Sequence, residues 1–161
     1  MNYDWSMALW KGILFAGLLT GITDGLFATV SAWLFGTPID RLWKGVASVL
    51  VGADAMKGGN EMVLLGILMH FGVAFGWSLV FGLVMMRAAW IRKQLASSFG
   101  VLKVAAVYGP LIWVVMSLVV IPALTHRPPA ISSRWWNQLV GHAVFVGLPM
   151  VGMIHRIGQR H

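Results

Sequence analysis

Hydrophobic residues gather along the chain into four long runs, separated by shorter segments that carry the charges, the prolines and much of the tryptophan. A bilayer's hydrocarbon core is ~30 Å thick and takes about 20 helical residues to cross. The runs at residues 12–36, 62–86, 103–124 and 136–155 therefore predict four membrane-spanning helices. The first contains one formal charge, Asp24, and the second contains none but holds His70. Lys103 sits at the edge of the third, while Trp135, Trp136, Asn137 and Gln138 lead into the fourth. A cleaved signal peptide ending near Val30-Ser31-Ala32 is a rival reading of the first run. Its apolar stretch is longer than the ~7–15 residues of such a segment, and Asp24 interrupts it, so the run is read as a retained span.

The segment between the first two runs is too long and too apolar for a plain loop. Ile39, Leu42, Trp43, Val46, Val49, Leu50 and Ala53 recur at helical spacing, behind Thr37 as a cap, Pro38 in the first turn and Asp40 three positions after the cap. This predicts an amphipathic helix over residues 38–53, lying at the membrane interface and ended by Lys57-Gly58-Gly59. The expected fold class is all-α: an integral membrane four-helix bundle with an extra interfacial amphipathic helix between the first two spans, forming one domain over residues 1–161. Each hairpin would turn through a proline-bearing segment and return on a helix with a His near its start, a weak internal echo.

Composition agrees. The chain is 58% hydrophobic and 11% charged, with a mean hydropathy of +0.79, where a soluble domain carries roughly 25% charged residues. The formal charge of +7 forms no aromatic-interleaved basic stripe, so nucleic acid is not a predicted partner; the lipid bilayer is. Four spans put both termini on one side. That side would hold Lys11, Arg87, Arg92, Lys93, Lys103, Arg156 and Arg160, against Arg41, Lys44, Lys57, Arg127 and Arg134 on the other. The basic excess predicts cytoplasmic termini. With no cysteine there is neither disulfide nor thiolate chemistry.

The candidate chemistry is intramembrane. Gly17, Gly21 and Gly25 form overlapping GxxxG steps, a ridge suited to close helix packing within the chain or against a second copy. Asp24 lies beside that ridge, and a carboxylate at mid-bilayer costs about 2.5–3.5 kcal/mol on insertion scales, so it needs a partner, a proton or water. His70 shares a small-residue face with Gly66, Ala74 and Ser78, and His142 stands one turn after Gln138. Counted along the helices, the two histidines fall in the outer half and Asp24 somewhat deeper. Three readings of Asp24, His70 and His142, with Thr20 and Gln138 as polar neighbours, stay open: a structural hydrogen-bond cluster, a proton or cation site, or a metal or haem site held by His70, His142 and Asp24. No cofactor is required. The absence of HExxH, GxSxG, a histidine box and a phosphate loop argues against an enzyme.

Thr20-Gly21-Ile22-Thr23-Asp24-Gly25, Gly58-Gly59 leading to Leu65-Gly66 and Met69-His70-Phe71, and Val140-Gly141-His142-Ala143-Val144-Phe145 together resemble small bacterial inner-membrane proteins of the YagU-like type and other four-helix families, all of unknown function. The resemblance implies a multi-pass protein of the bacterial inner membrane and brings no catalytic residue. The functional expectation is a small proton-linked carrier or pH-responsive element, acting as a homo-oligomer because four helices leave little room for an enclosed path. The alternative is an accessory subunit of a larger membrane complex, haem- or metal-binding.

Overall fold

A computed structural model describes residues 5–158, with side chains from Leu9 onward; Arg160, counted above among the basic residues, lies outside the described residues. Every regular element among them is helical. Six helices follow in order: α1 (Trp5–Leu34), α2 (Ile39–Val51), α3 (Asn60–Arg87), α4 (Ala89–Leu95), α5 (Gly100–Thr125) and α6 (Ser133–Gly158). Four of them, α1, α3, α5 and α6, are long and apolar enough to cross a membrane. They extend the predicted spans by one to several residues at every end but one, because helical hydrogen bonding continues into the polar flanks. The exception is α1, which stops at Leu34, two residues short of the predicted 36, where Gly36 adopts a left-handed conformation at φ 68°.

Helix α1 lies between α3 and α6, and α5 closes the bundle against α6. One face of α1 carries Trp10, Leu14, Leu18, Ile22, Leu26, Val30 and Leu34 at four-residue spacing, every one exposed. Such a stripe has no favourable place in water and suits lipid. Trp10 and Trp33 mark its two ends about 35 Å apart at ~1.5 Å per residue, a spacing that matches the hydrocarbon core plus its interfaces. Exposed Trp90 lies on the terminal side with Trp10, and exposed Trp136 on the α2 side with Trp33.

The interior is divided. Leu9, Ile13, Phe81, Met85, Ile91, Leu95, Met150 and Ile154 form an apolar core in the half nearest the chain termini. The half nearest α2 holds the buried or half-buried Ser31, Asp24, His70, Asn137 and His142. Helix α2 occupies the segment predicted to be amphipathic, but two local details differ. Pro38, not Thr37, stands at its N-cap, because the Pro38 carbonyl accepts the first helical hydrogen bond, from the Leu42 N–H. The helix ends at Val51, short of the predicted 53, where Gly52 takes φ 81°. Its buried residues, Trp43 and Ala47, lie on the bundle side, and the Trp43 carbonyl meets Gly66 of α3 so closely that no Cβ would fit there. At the exposed start of α2, a hydrogen bond from Lys44 at 3.1 Å holds the Asp40 carboxyl below its ordinary value.

The glycine ridge is occupied within the chain. The Phe75 ring fills the space over Gly17, Phe71 that over Gly21, and His70 and Trp43 lie against Gly25. At the other end of α3, Arg92 of α4 turns back to donate Nη1 to the Met85 and Met86 carbonyls at 2.6 and 3.0 Å. A cation there satisfies two orphan acceptors and suits the negative end of the helix dipole.

Both outgoing and returning helices of the second hairpin contain a π turn, Met116–Val120 in α5 and Ala143–Gly147 in α6. Each π turn precedes a proline by two residues, Pro122 and Pro149. A proline lacks the N–H for the carbonyl four residues earlier and crowds it, and a widened turn relieves the crowding. Pro110 sits inside α5 without a π turn. The adjacent Gly109 meets the His142 carbonyl, and Gly147 meets the Ala105 carbonyl, so α5 and α6 touch main chain to main chain at two levels.

Candidate functional site

Helix α1 brings Asp24 to the seam with α3, where His70 waits. Both lie ten residues from the α2-side ends of their helices, and His142 lies nine from the start of α6, so all three share one depth of about 14–15 Å at ~1.5 Å per residue. The expectation that Asp24 is deeper than the histidines is thereby corrected. α1 ends earlier and α3 begins earlier than the hydrophobic runs suggested, and the two shifts cancel the offset.

The His70 ring is held from several sides. Its Nε2 lies 2.9 Å from the Gly21 carbonyl, Trp43 meets it edge-on at 5.4 Å, and Phe71 does so at 5.7 Å. A carbonyl only accepts, so Nε2 carries a hydrogen and donates it. That assignment turns Nδ1 toward Asp24, whose Oδ2 is 3.9 Å away. In a neutral ring with Nε2–H, Nδ1 is an acceptor, and it would then face a second acceptor across a poorly solvated gap. The pair is relieved by one added proton, either on the ring as imidazolium beside carboxylate or on the carboxyl beside neutral imidazole. Only about one-seventh of each side chain is exposed. Asp24 Oδ1 has no hydrogen-bond partner among the described residues.

His142 is 7% exposed and gives its Nδ1–H to the Gln138 carbonyl at 2.8 Å. Its ring packs on Trp113 at 5.0 Å. Gln138 thus contributes through its main chain, while the neighbouring Asn137, which sequence reasoning passed over, donates Nδ2 to Ser31 Oγ at 2.9 Å. Thr20 is 2% exposed, one turn from Asp24, with its hydroxyl unpartnered. Trp113 was also missed, because a lone Trp in an apolar run carries no sequence signal of its partners.

The metal reading does not fit this geometry. Among the described residues no three His, Asp or Glu side chains come together as a metal-holding group, and His70 turns one ring nitrogen to a carbonyl and the other to Asp24. With Nε2–H on the Gly21 carbonyl only Nδ1 keeps a lone pair, and Asp24 beside it does not complete a three-ligand set among the described residues.

One further contact ties the site to the π turn of α6. Pro149 has no N–H for the Phe145 carbonyl, and Thr23 Oγ1 approaches that oxygen at 2.6 Å, nearer than its own-helix acceptor Leu19 at 3.0 Å. We expect Thr23→Val to destabilise the fold by about 1 kcal/mol, the net worth of one such bond. The loss should be much smaller in a Pro149→Ala background, where the residue-149 N–H returns to the Phe145 carbonyl. Unfolding in detergent measures both, and equal losses in the two backgrounds would refute the assignment.

Four helices long and apolar enough to cross a bilayer, with Asp24 facing His70 between two of them, mark a multi-pass helical membrane protein. Comparison with known protein families, with characterised proteins and with solved structures gives no match to this chain.

Proposed function

We propose that the protein is a small proton-linked carrier or pH-responsive membrane element, and that the Asp24–His70 pair is its proton-binding site. The observation that carries this reading is the orientation of His70. With Nε2–H committed to Gly21 at 2.9 Å, Nδ1 faces Asp24 at 3.9 Å, and the pair has room for one proton that can rest on either partner. An ionisable pair at this depth is costly to bury, and such residues in membrane spans mark functional sites by default. A purely structural cluster would pair its acceptors fully, whereas Asp24 Oδ1 and Thr20 Oγ1 have no hydrogen-bond partner among the described residues.

In this reading the protein lies in a bacterial inner membrane with its termini in the cytoplasm and α2 at the opposite surface, as the basic excess on the terminal side supports. It works as a homo-oligomer, and because α3 fills the Gly17–Gly21–Gly25 ridge, copies meet elsewhere. Reconstituted vesicles should show proton flux that rises when a pH gradient is imposed and falls to the lipid background with Asp24→Asn. Flux unchanged by that substitution refutes the reading. Native mass spectrometry from mild detergent should give whole-number multiples of the chain; a mass that includes foreign subunits would favour an accessory role instead.

A further inference from the structure

The two ends of the bundle are charged unequally. On the terminal side stand Lys11, Arg87, Arg92, Lys93, Lys103 and Arg156, with no Asp or Glu among the described residues there. On the α2 side the cations share the surface with Asp40, Asp54 and Glu61, and Lys44 and Lys57 already pair with the first two of these. Arg92 is engaged by the end of α3. Arg156, by contrast, is exposed and lines a groove of about 300 Å³ between α1 and α6, together with Phe15, Met153 and Ile157.

The register of α1 against α6 gives this groove a cationic mouth and an apolar floor. A Cβ at Gly12 would lie 3.6 Å from the Ile157 side chain and 3.7 Å from the Ile154 Cα, so the neighbouring Lys11 and Arg156 stand at one level. The two helices run in opposite directions. Phe15 is therefore about 6 Å deeper in the bundle than Lys11, and Met153 about 4–5 Å deeper than Arg156, at ~1.5 Å per residue. Phe15 is 55% exposed, and the apolar surface continues inward along α1 through exposed Leu18 and Ile22. Long cationic side chains at a helix end hold their charge in the headgroup layer while their stems cover apolar surface. An occupant that satisfies both parts carries a negative head and an apolar tail, in that order along the membrane normal.

We propose that the groove binds one anionic phospholipid, with its phosphate held by Arg156 and Lys11 and an acyl chain lying along Phe15 and Met153. The site stands apart from the proton-binding reading, because it uses neither Asp24 nor His70. An arginine fork matches two phosphate oxygens, and a lysine adds a compact positive charge. A basic mouth between two spans is the form that lipid headgroup pockets take. A zwitterionic lipid brings the same phosphate and chains, but also a cationic group for which this side offers no carboxylate among the described residues. Free phosphate would make the charge contacts and leave Phe15, Met153 and Ile157 uncovered. Charge and shape together therefore select the anionic lipid.

The test is native mass spectrometry of the full chain in mild detergent, titrated with phosphatidylglycerol or with phosphatidylcholine of identical acyl chains. One phosphatidylglycerol per chain should bind, about fivefold or more tighter than phosphatidylcholine, and should raise the melting temperature. Arg156→Gln and Lys11→Gln should each weaken phosphatidylglycerol binding about fivefold, the effect of one cation beside an anionic headgroup. Their melting temperatures without lipid should match wild type, because both side chains are exposed. Lys93→Gln makes the same change of charge on the same side but outside the groove, and should bind as wild type does. Equal affinity for the two lipids, or wild-type binding by Arg156→Gln, overturns the site. A loss in Lys93→Gln as large as in Arg156→Gln also overturns it, because the attraction would then belong to the whole basic side rather than to the groove.

Discussion

Gly109→Ala and Gly147→Ala are each expected to cost the fold about 3 kcal/mol, the upper part of the usual range for overpacking, while Gly72→Ala and Gly76→Ala leave it unchanged or slightly more stable. The contrast follows from what an added methyl would touch. At Gly109 it meets the main-chain carbonyl of His142, and at Gly147 that of Ala105. Main-chain atoms in adjoining helices cannot swing aside as a side chain does, so the helices must separate, and the contacts of Ala105, Ile112, Val146 and Met150 loosen together. Nothing lies within 4 Å of a Cβ at Gly72 or Gly76. There Ala removes the backbone freedom of glycine and gains helix propensity of about 0.5–1 kcal/mol. Unfolding in detergent, read by tryptophan fluorescence, separates the two pairs. Similar behaviour of all four variants would mean that α5 and α6 do not pack as described.

The second large effect concerns the ionisable pair. His70→Leu strands Asp24 in the bundle with its nearest neighbour gone and is expected to destabilise the fold by about 3 kcal/mol, as breaking a buried pair does. The double variant His70→Leu/Asp24→Leu should recover most of that loss, because no uncompensated acceptor remains and two apolar side chains take its place. A double-mutant cycle isolates the coupling. Additive losses would show that Asp24 and His70 do not interact, and the proton-binding reading would lose its geometric basis. The Gly21 carbonyl, left without its donor in both variants, contributes equally and cancels in the comparison.

Much of this molecule was legible before folding. Apolar runs of bilayer length fix four spans whatever their neighbours are, because no other environment accepts them. Asp24 and His70 were conspicuous for the same reason: a charge or imidazole in such a run is costly unless matched. Gly66 and the Gly17–Gly21–Gly25 ridge announced close approach, although not what would approach. Their occupants are aromatic rings of α3 and the Trp43 carbonyl rather than a second copy of α1.

What sequence could not supply were quantities set between elements. The common depth of Asp24, His70 and His142 depends on where α1 and α3 actually stop, and helix ends depend on capping that the hydrophobic pattern does not show. The choice of Asn137 over Gln138 as the residue that reaches Ser31 is a matter of helix rotation by one position, about 100° around the axis. The direction of the His70 proton hangs on a carbonyl of another helix. Local periodicity therefore determined the class, the span count and the residues that could carry charge in lipid. Tertiary packing alone decided which of them meet, because contact across a helix seam depends on rotation and register, and these are set jointly by every side chain along it.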